Sequence, residues 1–390
     1  MSTMKERILD AHHKHPTMRP KELASKYGFS LNYTRKVLYN QRIGVAPLKS
    51  IDKNPHSLPN KVYRAIKNRR CDLIQLANRF NVTPAKIEEA IEELKNSHRC
   101  VDNFEDGTVQ MASTSPFDPN EEKVVINTLG SGESEFCVGF LSDMHIGSKY
   151  ERLDVLDDIY DRYEKAGVEN VYVSGNWIDG EKIFNKYDIY VYGIEAQVNN
   201  FIKKYPQRKN MKSFFISGDD HEGWYVQREH INVGKYMEMK AREAGRKDLF
   251  DLGYMEANIV YEKELGKSII RIAHPGAGSS YAHSYKSQKY VESLQGGEKP
   301  DIVCFGHYHK FNYAYPREVH MVQPGCVQDQ TPFMRKKNLE AHVGGCIIWI
   351  KQNQFGIFTS VRVEWMPYYD KKFYTYYWDK KTDTGDFQVN

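Results

Sequence analysis

The chain has 390 residues, 40% hydrophobic and 27% charged, with a formal net charge of +4. That composition excludes a disordered or low-complexity chain and describes a globular protein with a large core and one or two small satellite domains. No apolar run approaches the roughly 18 residues of a membrane helix, and Met1 to Asp10 lacks the apolar core of a secretory signal, so a cytoplasmic protein with no membrane partner is expected.

Cys71, Cys100, Cys137, Cys304, Cys326 and Cys346 are scattered without a CxxC pair. This argues against a zinc ribbon or a disulfide framework and predicts reduced thiols, mostly in the core. Charge is unevenly placed. Residues 1–100 hold 20 Lys and Arg against 9 Asp and Glu, a balance of +11, and the remainder holds 35 against 42, a balance of −7. A basic front suits a polyanion partner, and an acidic remainder suits multivalent cations.

In chain order, residues 1–50 read as a helix-turn-helix domain. Ile8 and Leu9 mark a first helix, Pro20 opens a second that runs to Tyr27, Gly28 supplies the turn, and Ser30 caps a third from Leu31 to Asn40. The third helix would present Asn32, Arg35, Lys36 and Arg42 to base edges and phosphates of DNA. The competing reading is a helical bundle whose Lys and Arg are only surface.

Residues 51–111 read as a second helix-turn-helix or winged-helix-like domain. Asp72 to Phe80 forms one helix, Asn81 breaks it, Thr83 caps the next with Pro84 first, and Asp106 with Gly107 turns a short wing. Glu88, Glu89, Glu92 and Glu93 on its last helix would repel phosphates, which makes this unit a poor groove reader; Lys61, Arg64, Lys67, Arg69 and Arg70 could still track a backbone, and otherwise the unit is a spacer or protein contact. Residues 112–134 are the expected linker, with Ser113, Thr114, Ser115, Pro116 and Pro119 at its start.

From residue 135 to 390 short apolar strands alternate with helices such as Leu153 to Ala166, the βαβ pattern of an α/β fold. Strands run into Asp143 and His145, into Asn176 and Asp179, into Asp220 and His221, into His274, and into His307 and His309. Open α/β sheets place their sites at the carboxyl ends of strands, where these residues sit. A lone Asp-x-His or a single His is ordinarily structural, but five such clusters in order are specific.

At these residues the chain resembles the calcineurin-like metallophosphoesterase superfamily, whose members include protein phosphatases, cyclic-nucleotide phosphodiesterases and DNA-repair exonucleases. The family pattern D-x-H, G-D-x-x-D, G-N-H-D/E, H, G-H-x-H is met by Asp143-Met144-His145, Gly175-Asn176-Trp177-Ile178-Asp179, Asp219-Asp220-His221-Glu222, His274 and Gly306-His307-Tyr308-His309. The resemblance spans about residues 135–350 and implies a two-sheet αββα sandwich, preceded here by small all-α helix-turn-helix or winged-helix domains. It implies one divalent ion at Asp143, His145, Asn176 and His309, and a second at Asn176, Asp220, His274 and His307. The donor types favour Mn²⁺, with Fe, Zn²⁺ or Mg²⁺ as alternatives. His221 would protonate the leaving oxygen, oriented by Asp179. Gly218 to Glu229, with Gly175 to Glu181, also resembles phage-encoded phosphoesterases, which would place the protein in a host cytoplasm.

Two ligand positions depart from the family pattern, besides Asp219 where the pattern has Gly. Its bridging carboxylate is Asn176 here, and its Asn ligand is Asp220. The exchange keeps two anionic ligands, Asp143 and Asp220, and reads as a compensated swap. The alternatives are a site that holds one metal tightly, or an Asp-to-Asn change that disables the enzyme.

After His309, His320 to Gln323, His342 to Ile350 and Phe355 to Trp365 are expected to complete the second sheet. The aromatic end, Tyr368 to Trp378, is either a stacking platform for single strands or an edge packed on the core or on a second copy of the chain in a homo-oligomer. The expected function is a metal-dependent DNA phosphodiesterase recruited by the basic front. The alternatives are a phosphatase or small-substrate phosphodiesterase whose front modules bind protein, and a catalytically weakened DNA-binding module.

Overall fold

A computed structural model describes residues 4–14, 20–30, 34, 54, 56–111 (apart from 68, 98, 100 and 105) and 122–369 (apart from 129–131, 183–184, 277 and 279–281). Helices Met4–Lys14 and Pro20–Tyr27 bring Ile8, Ala11, Leu23, Ala24 and Phe29 into one small core, and Gly28 leaves the second helix at φ +68°. The third helix expected there, with Asn32, Arg35, Lys36 and Arg42, lies outside the described residues, as does the aromatic tail beyond Tyr369.

The next unit contains helices Leu58–Ile66, Leu73–Phe80 and Pro84–Asn96 around Val62, Ile66, Leu76, Ile87, Ile91 and Leu94. Asp72 caps the second helix, its carboxylate accepting the N–H groups of Ile74 and Gln75 at 2.8 and 3.0 Å. Asn81 ends that helix in the left-handed region, a conformation Asn tolerates better than most residues. The unit carries the expected wing, turned at Asp106 and Gly107, and so is not the all-α domain expected of the front. Strands β1 (Cys71–Asp72), β2 (Val101–Asn103) and β3 (Thr108–Met111) form a sheet in the order β1-β3-β2. Asp106 and Gly107 close the β2–β3 hairpin, with Asp106 accepting the Thr108 N–H at 3.0 Å.

The remainder is an α/β sandwich of two six-stranded sheets. One sheet runs β15-β14-β5-β6-β7-β8, where β5 is Ser134–Leu141, β6 Asn170–Ser174, β7 Lys212–Ser217, β8 Leu249–Tyr254, β14 Val343–Gln352 and β15 Phe358–Tyr368. Strands β5 to β8 are parallel, as βαβ crossovers require. The other sheet runs β12-β13-β11-β10-β9-β4, with β4 Glu122–Asn127, β9 Glu256–Lys263, β10 Gly266–Ala273, β11 Ile302–Phe305, β12 Phe311–Ala314 and β13 His320–Pro324.

Alternation along the strands builds the layers. Val138 and Phe140 of β5, Tyr172 of β6, Phe214 and Ile216 of β7 and Ile348 of β14 meet Ile259, Ile270, Ile302 and Val322 between the sheets. Their neighbours Leu141, Val171, Val173, Phe215 and Ile347 pack outward on helices Leu153–Ala166, Ile194–Lys204 and Val233–Glu243. On the far side, Val303, Phe305 and Met321 pack with Val291 of helix Tyr285–Ser293. The period of 2 thus sends successive side chains to different layers.

Two strand assignments differ from expectation. The hairpin β14–β15 joins the first sheet, not the second, pairing antiparallel to β5 with Cys346 opposite Phe140. Strand β4 falls within the expected linker and pairs parallel with β9 at the edge of the second sheet. Periodicity identifies such strands but carries no record of which sheet edge accepts them.

Tyr163 holds β5 to β14. Its ring lies over Gly139, where an added Cβ would meet Cε2 at 2.6 Å, and its hydroxyl lies 3.0 Å from both Phe140 O and Cys346 O. Gly139→Ala should therefore destabilise the protein by about 1 to 3 kcal/mol through overpacking. Urea unfolding reads this directly, and an unchanged midpoint would show that Tyr163 does not seat there.

Candidate metal centre

Every candidate ligand sits just beyond the carboxyl end of a strand. Asp143 and His145 follow β5, Asn176 and Asp179 follow β6, Asp220 and His221 follow β7, His274 follows β10, and His307 and His309 follow β11. Asp143, His145, Asn176, His307 and His309 have φ of +51°, +47°, +53°, +80° and +54°. Left-handed backbone is uncommon for non-glycine residues, and it persists only where the surroundings impose it. Five cases in one cluster mark a site whose side-chain directions come before backbone comfort. Small residues make room: a Cβ on Gly306 would lie 2.1 Å from Ser174 O, and one on Gly175 would lie 2.5 Å from His274 Nδ1.

The side chains form two neighbouring groups. In the first, His309 Nε2 lies 3.3 Å from Asp143 Oδ1 and 3.2 Å from His145 Nε2. His145 Nδ1 faces Asp179 Oδ1 at 3.0 Å, which assigns its proton to Nδ1 and turns the Nε2 lone pair toward the other donors. In the second, Asp220 Oδ1 lies 3.7 Å from His274 Nε2, and Oδ2 lies 3.8 Å from His307 Nδ1. His274 Nδ1 donates to Ser174 O at 2.5 Å, so in the neutral imidazole its Nε2 carries the lone pair. Each group holds one carboxylate and two imidazoles with ligating atoms within 4.8 Å of one another.

Asn176 stands between the groups. Its Nδ2 donates to Asp143 Oδ1 at 3.0 Å. Its Oδ1 is on the other side: a point beside Gly218 lies 2.7 Å from that oxygen and 2.9 Å from His274 Nε2. Asn176 Oδ1, Asp220 Oδ1 and His274 Nε2 are buried with no hydrogen-bond partner among the described residues. Buried polar atoms are nearly always satisfied, so three convergent exceptions of this kind fit a cation. The donors are oxygen and imidazole, with no cysteine among them.

Electrostatics follow from this crowding. Burial opposes ionisation of Asp143, yet His309, His274 and His145 hold its carboxyl well below the usual range. Burial and the neighbouring His221 depress His145 to about 4, against the pull of Asp179. Burial opposes charge on His274 too, but Asp220 and Asp143 raise it to about 9.

His221 flanks the first group, its ring centroid 4.3 Å from that of His145. Its Nδ1 lies 2.7 Å from Asp179 O and 3.0 Å from Asp179 Oδ1, so Nδ1 carries a proton. Asp179 therefore orients both His145 and His221. Burial disfavours the imidazolium, but Asp220 and Asp179 raise His221 to about 9.

Two residues of the site have tasks that the motifs do not assign: Glu222 fills the last position of Asp219-Asp220-His221-Glu222 without a named role, and Ser142 lies outside the motifs. Glu222 is fully buried, and its Oε1 accepts the N–H groups of Asn176 and Gly218, each at 2.7 Å. It thereby ties the loop after β6 to the loop after β7, and burial pushes its carboxyl up to about 7. Ser142 donates its hydroxyl to Asp143 Oδ2 at 2.6 Å. Only their places beside His221 and Asp143 hint at these tasks.

His145, Asn176, Asp220, His307 and His309 line a cavity of about 560 Å³ that is also lined by Phe333, Met334, Lys337 and Leu339. Asn185 and Asp188 also line it, and Tyr187 and Tyr192, close to them in the chain, are 79% and 57% exposed. Lys186 Nζ lies 5.9 Å from the Tyr187 ring, and Lys149 Nζ donates to Tyr187 O at 2.6 Å. No described helix is long and apolar enough to cross a membrane.

No protein-family model matches the chain, and no curated protein matches it in sequence. Solved structures do align with it. An archaeal phosphodiesterase is 14% identical with a TM-score of 0.31, over 59% of this chain and 100% of its own. Vps29 of Entamoeba histolytica complexed with Zn²⁺ is 13% identical with a TM-score of 0.29, over 60% and 99%. A predicted phosphoesterase of Streptococcus pneumoniae is 12% identical with a TM-score of 0.27, over 60% and 99%. At these scores none of the three bears on the chemistry of this chain, which is read from its own side chains.

The raised values of His221 and His274 predict a pH dependence for the chelator-treated protein. Their folded-state values of about 9 exceed the ordinary 6.5, so the stability they contribute is complete below pH 6.5 and is lost as pH rises through 9. The melting temperature after chelation should fall between pH 6.5 and 9.5. Added divalent metal should reduce that fall by taking the place of the protons. A flat profile after chelation would contradict the described charge pairing.

Proposed function

We propose that the chain is a metal-dependent phosphodiesterase acting on DNA. The observation that carries this reading is the pair of adjacent donor groups, Asp143/His145/His309 and Asp220/His274/His307, with His221 bonded to the Asp179 that also orients His145. Divalent ions held there, Mn²⁺ by first choice and Fe, Zn²⁺ or Mg²⁺ otherwise, would polarise the phosphoryl group and lower the pKa of water at the site.

The chain's own part is proton control and positioning. His221 is raised to about 9 and so is protonated at neutral pH. Its Nδ1 is committed to Asp179, and its Nε2, 3.9 Å from Asp220 Oδ2, gives a proton to the departing oxygen as the phosphorus–oxygen bond breaks and water supplies the new one. Asp179 stabilises the imidazolium before transfer. Glu222 keeps the loops bearing Asn176 and Asp220 in register.

DNA is favoured over other esters by charge and by exposed aromatic and basic residues. The front of the chain carries a balance of +11. Tyr187 and Tyr192 are exposed near the lining residues Asn185 and Asp188, and Lys149 and Lys186 lie beside Tyr187, a mixture of aromatic and cationic groups of the kind that single strands bind. Asn32, Arg35, Lys36 and Arg42 are assigned to duplex recruitment on their sequence pattern. A cytoplasmic setting accords with this role.

A substrate panel with Mn²⁺ or chelator tests the reading: plasmid, linear duplex, single strand, a small diester and a phosphopeptide. DNA and the small diester should be cleaved, chelator should stop both, and His221→Asn should lower kcat about 10²- to 10⁴-fold with KM little changed. Cleavage of the phosphopeptide but of no DNA would overturn it in favour of a phosphatase. For recruitment, Arg35→Ala with Lys36→Ala should weaken duplex binding and reduce its salt slope by about 1 to 2. An unchanged slope would return those residues to ordinary surface charge.

A further inference from the structure

We infer that Asn176 divides the metal centre into two unequal cation sites, a tight one at Asp220, His274 and His307 and a weak one at Asp143, His145 and His309. The inference rests on the metal-centre reading above and concerns how this chain's own residues load it.

An amide has one accepting end and one donating end, and here each end serves a different group. The Nδ2 of Asn176 donates to Asp143 Oδ1 at 3.0 Å. The other oxygen of Asp143 accepts the Ser142 hydroxyl at 2.6 Å and the His307 N–H at 2.8 Å. Oδ1 is thus the oxygen left to a cation, and it already carries an N–H whose positive end faces the same space. Turning the amide round would set its oxygen against an ionised carboxylate oxygen, which the buried surroundings would not screen.

The Asp220 group is favoured by the same arrangement. Asn176 Oδ1 flanks Gly218 beside His274 Nε2, and neither atom has a hydrogen-bond partner among the described residues. That group therefore offers four protein donors: an Asp220 oxygen, His274 Nε2, His307 Nδ1 and Asn176 Oδ1. The Asp143 group offers three, with an amide N–H in place of a fourth. A carboxylate at position 176 would present an oxygen to each side, so the asymmetry is a property of the amide and not of the fold.

Mn²⁺ titration of the chelator-stripped full chain tests this by calorimetry and by electron paramagnetic resonance. Wild type should bind one Mn²⁺ per chain in a step more than about 100-fold tighter than the second, beyond what loss of a single partner behind a ligand costs. Asn176→Asp should bring the second step to within about tenfold of the first and produce the spectrum of an exchange-coupled ion pair. His309→Ala should keep the tight step, and His274→Ala should remove it.

Two near-equal steps in wild type, unchanged steps in Asn176→Asp, or loss of the tight step in His309→Ala would each overturn the division. Should His274→Ala fail to fold, the other two variants still decide the matter. A folded wild type that binds no Mn²⁺ overturns the metal-centre reading and this inference with it, whereas two equal Mn²⁺ steps overturn the division alone.

Discussion

Three aspartates and five histidines are gathered at one end of the sandwich, and Asp143, Asp179, His145, His221 and His274 are 8% exposed or less. Removing such groups from water is costly unless each finds a charged or hydrogen-bonded partner. Here the partners are largely one another. Asp179 answers His145 and His221, Asp143 answers His309, and Asp220 answers His274 and His307. The rest of the architecture serves this gathering, because only strand ends from both sheets, brought together by the inter-sheet core, can deliver the groups to one place.

Delivery has a backbone cost. Five residues of the site sit at positive φ, and each such non-glycine residue costs of order 1–3 kcal/mol. Fixed contacts hold them. Asp143 N–H bonds to Gly175 O, His145 N–H to Asn176 O, and Asn176 N–H to Glu222. The loops after β5, β6 and β7 therefore support one another in series. Glu222, which touches neither donor group in the ligating sense, is the member through which two of those loops are tied.

Much of this was legible beforehand. The strands ending at Asp143, Asn176, Asp220, His274 and His307 could be read because parallel buried strands are apolar runs that stop abruptly at polar loops. The capped helix after Asp72 and the break at Asn81 could be read because capping and left-handed backbone are local. The sheet to which β14 and β15 belong could not, since pairing with β5 depends on how Tyr163 seats over Gly139 and spans Phe140 and Cys346, residues far apart in the chain. Strand β4 was hidden for a similar reason, because a short edge strand needs β9 to define it.

Asn176 shows where the division lies. By the resemblance of its motif it is an amide where a bridging carboxylate is expected, with Asp220 restoring the charge, and the donor types are fixed by residue identity. Which way the amide faces is another matter. It is decided by Ser142 and the His307 N–H occupying one oxygen of Asp143, and by the close approach of the amide oxygen and His274 to Gly218. Residue identity and local periodicity determined the donor inventory and the strand ends that carry it. Sheet membership, the pairing of acids with imidazoles and the direction of the amide are contacts between distant segments, and only the tertiary structure decides those.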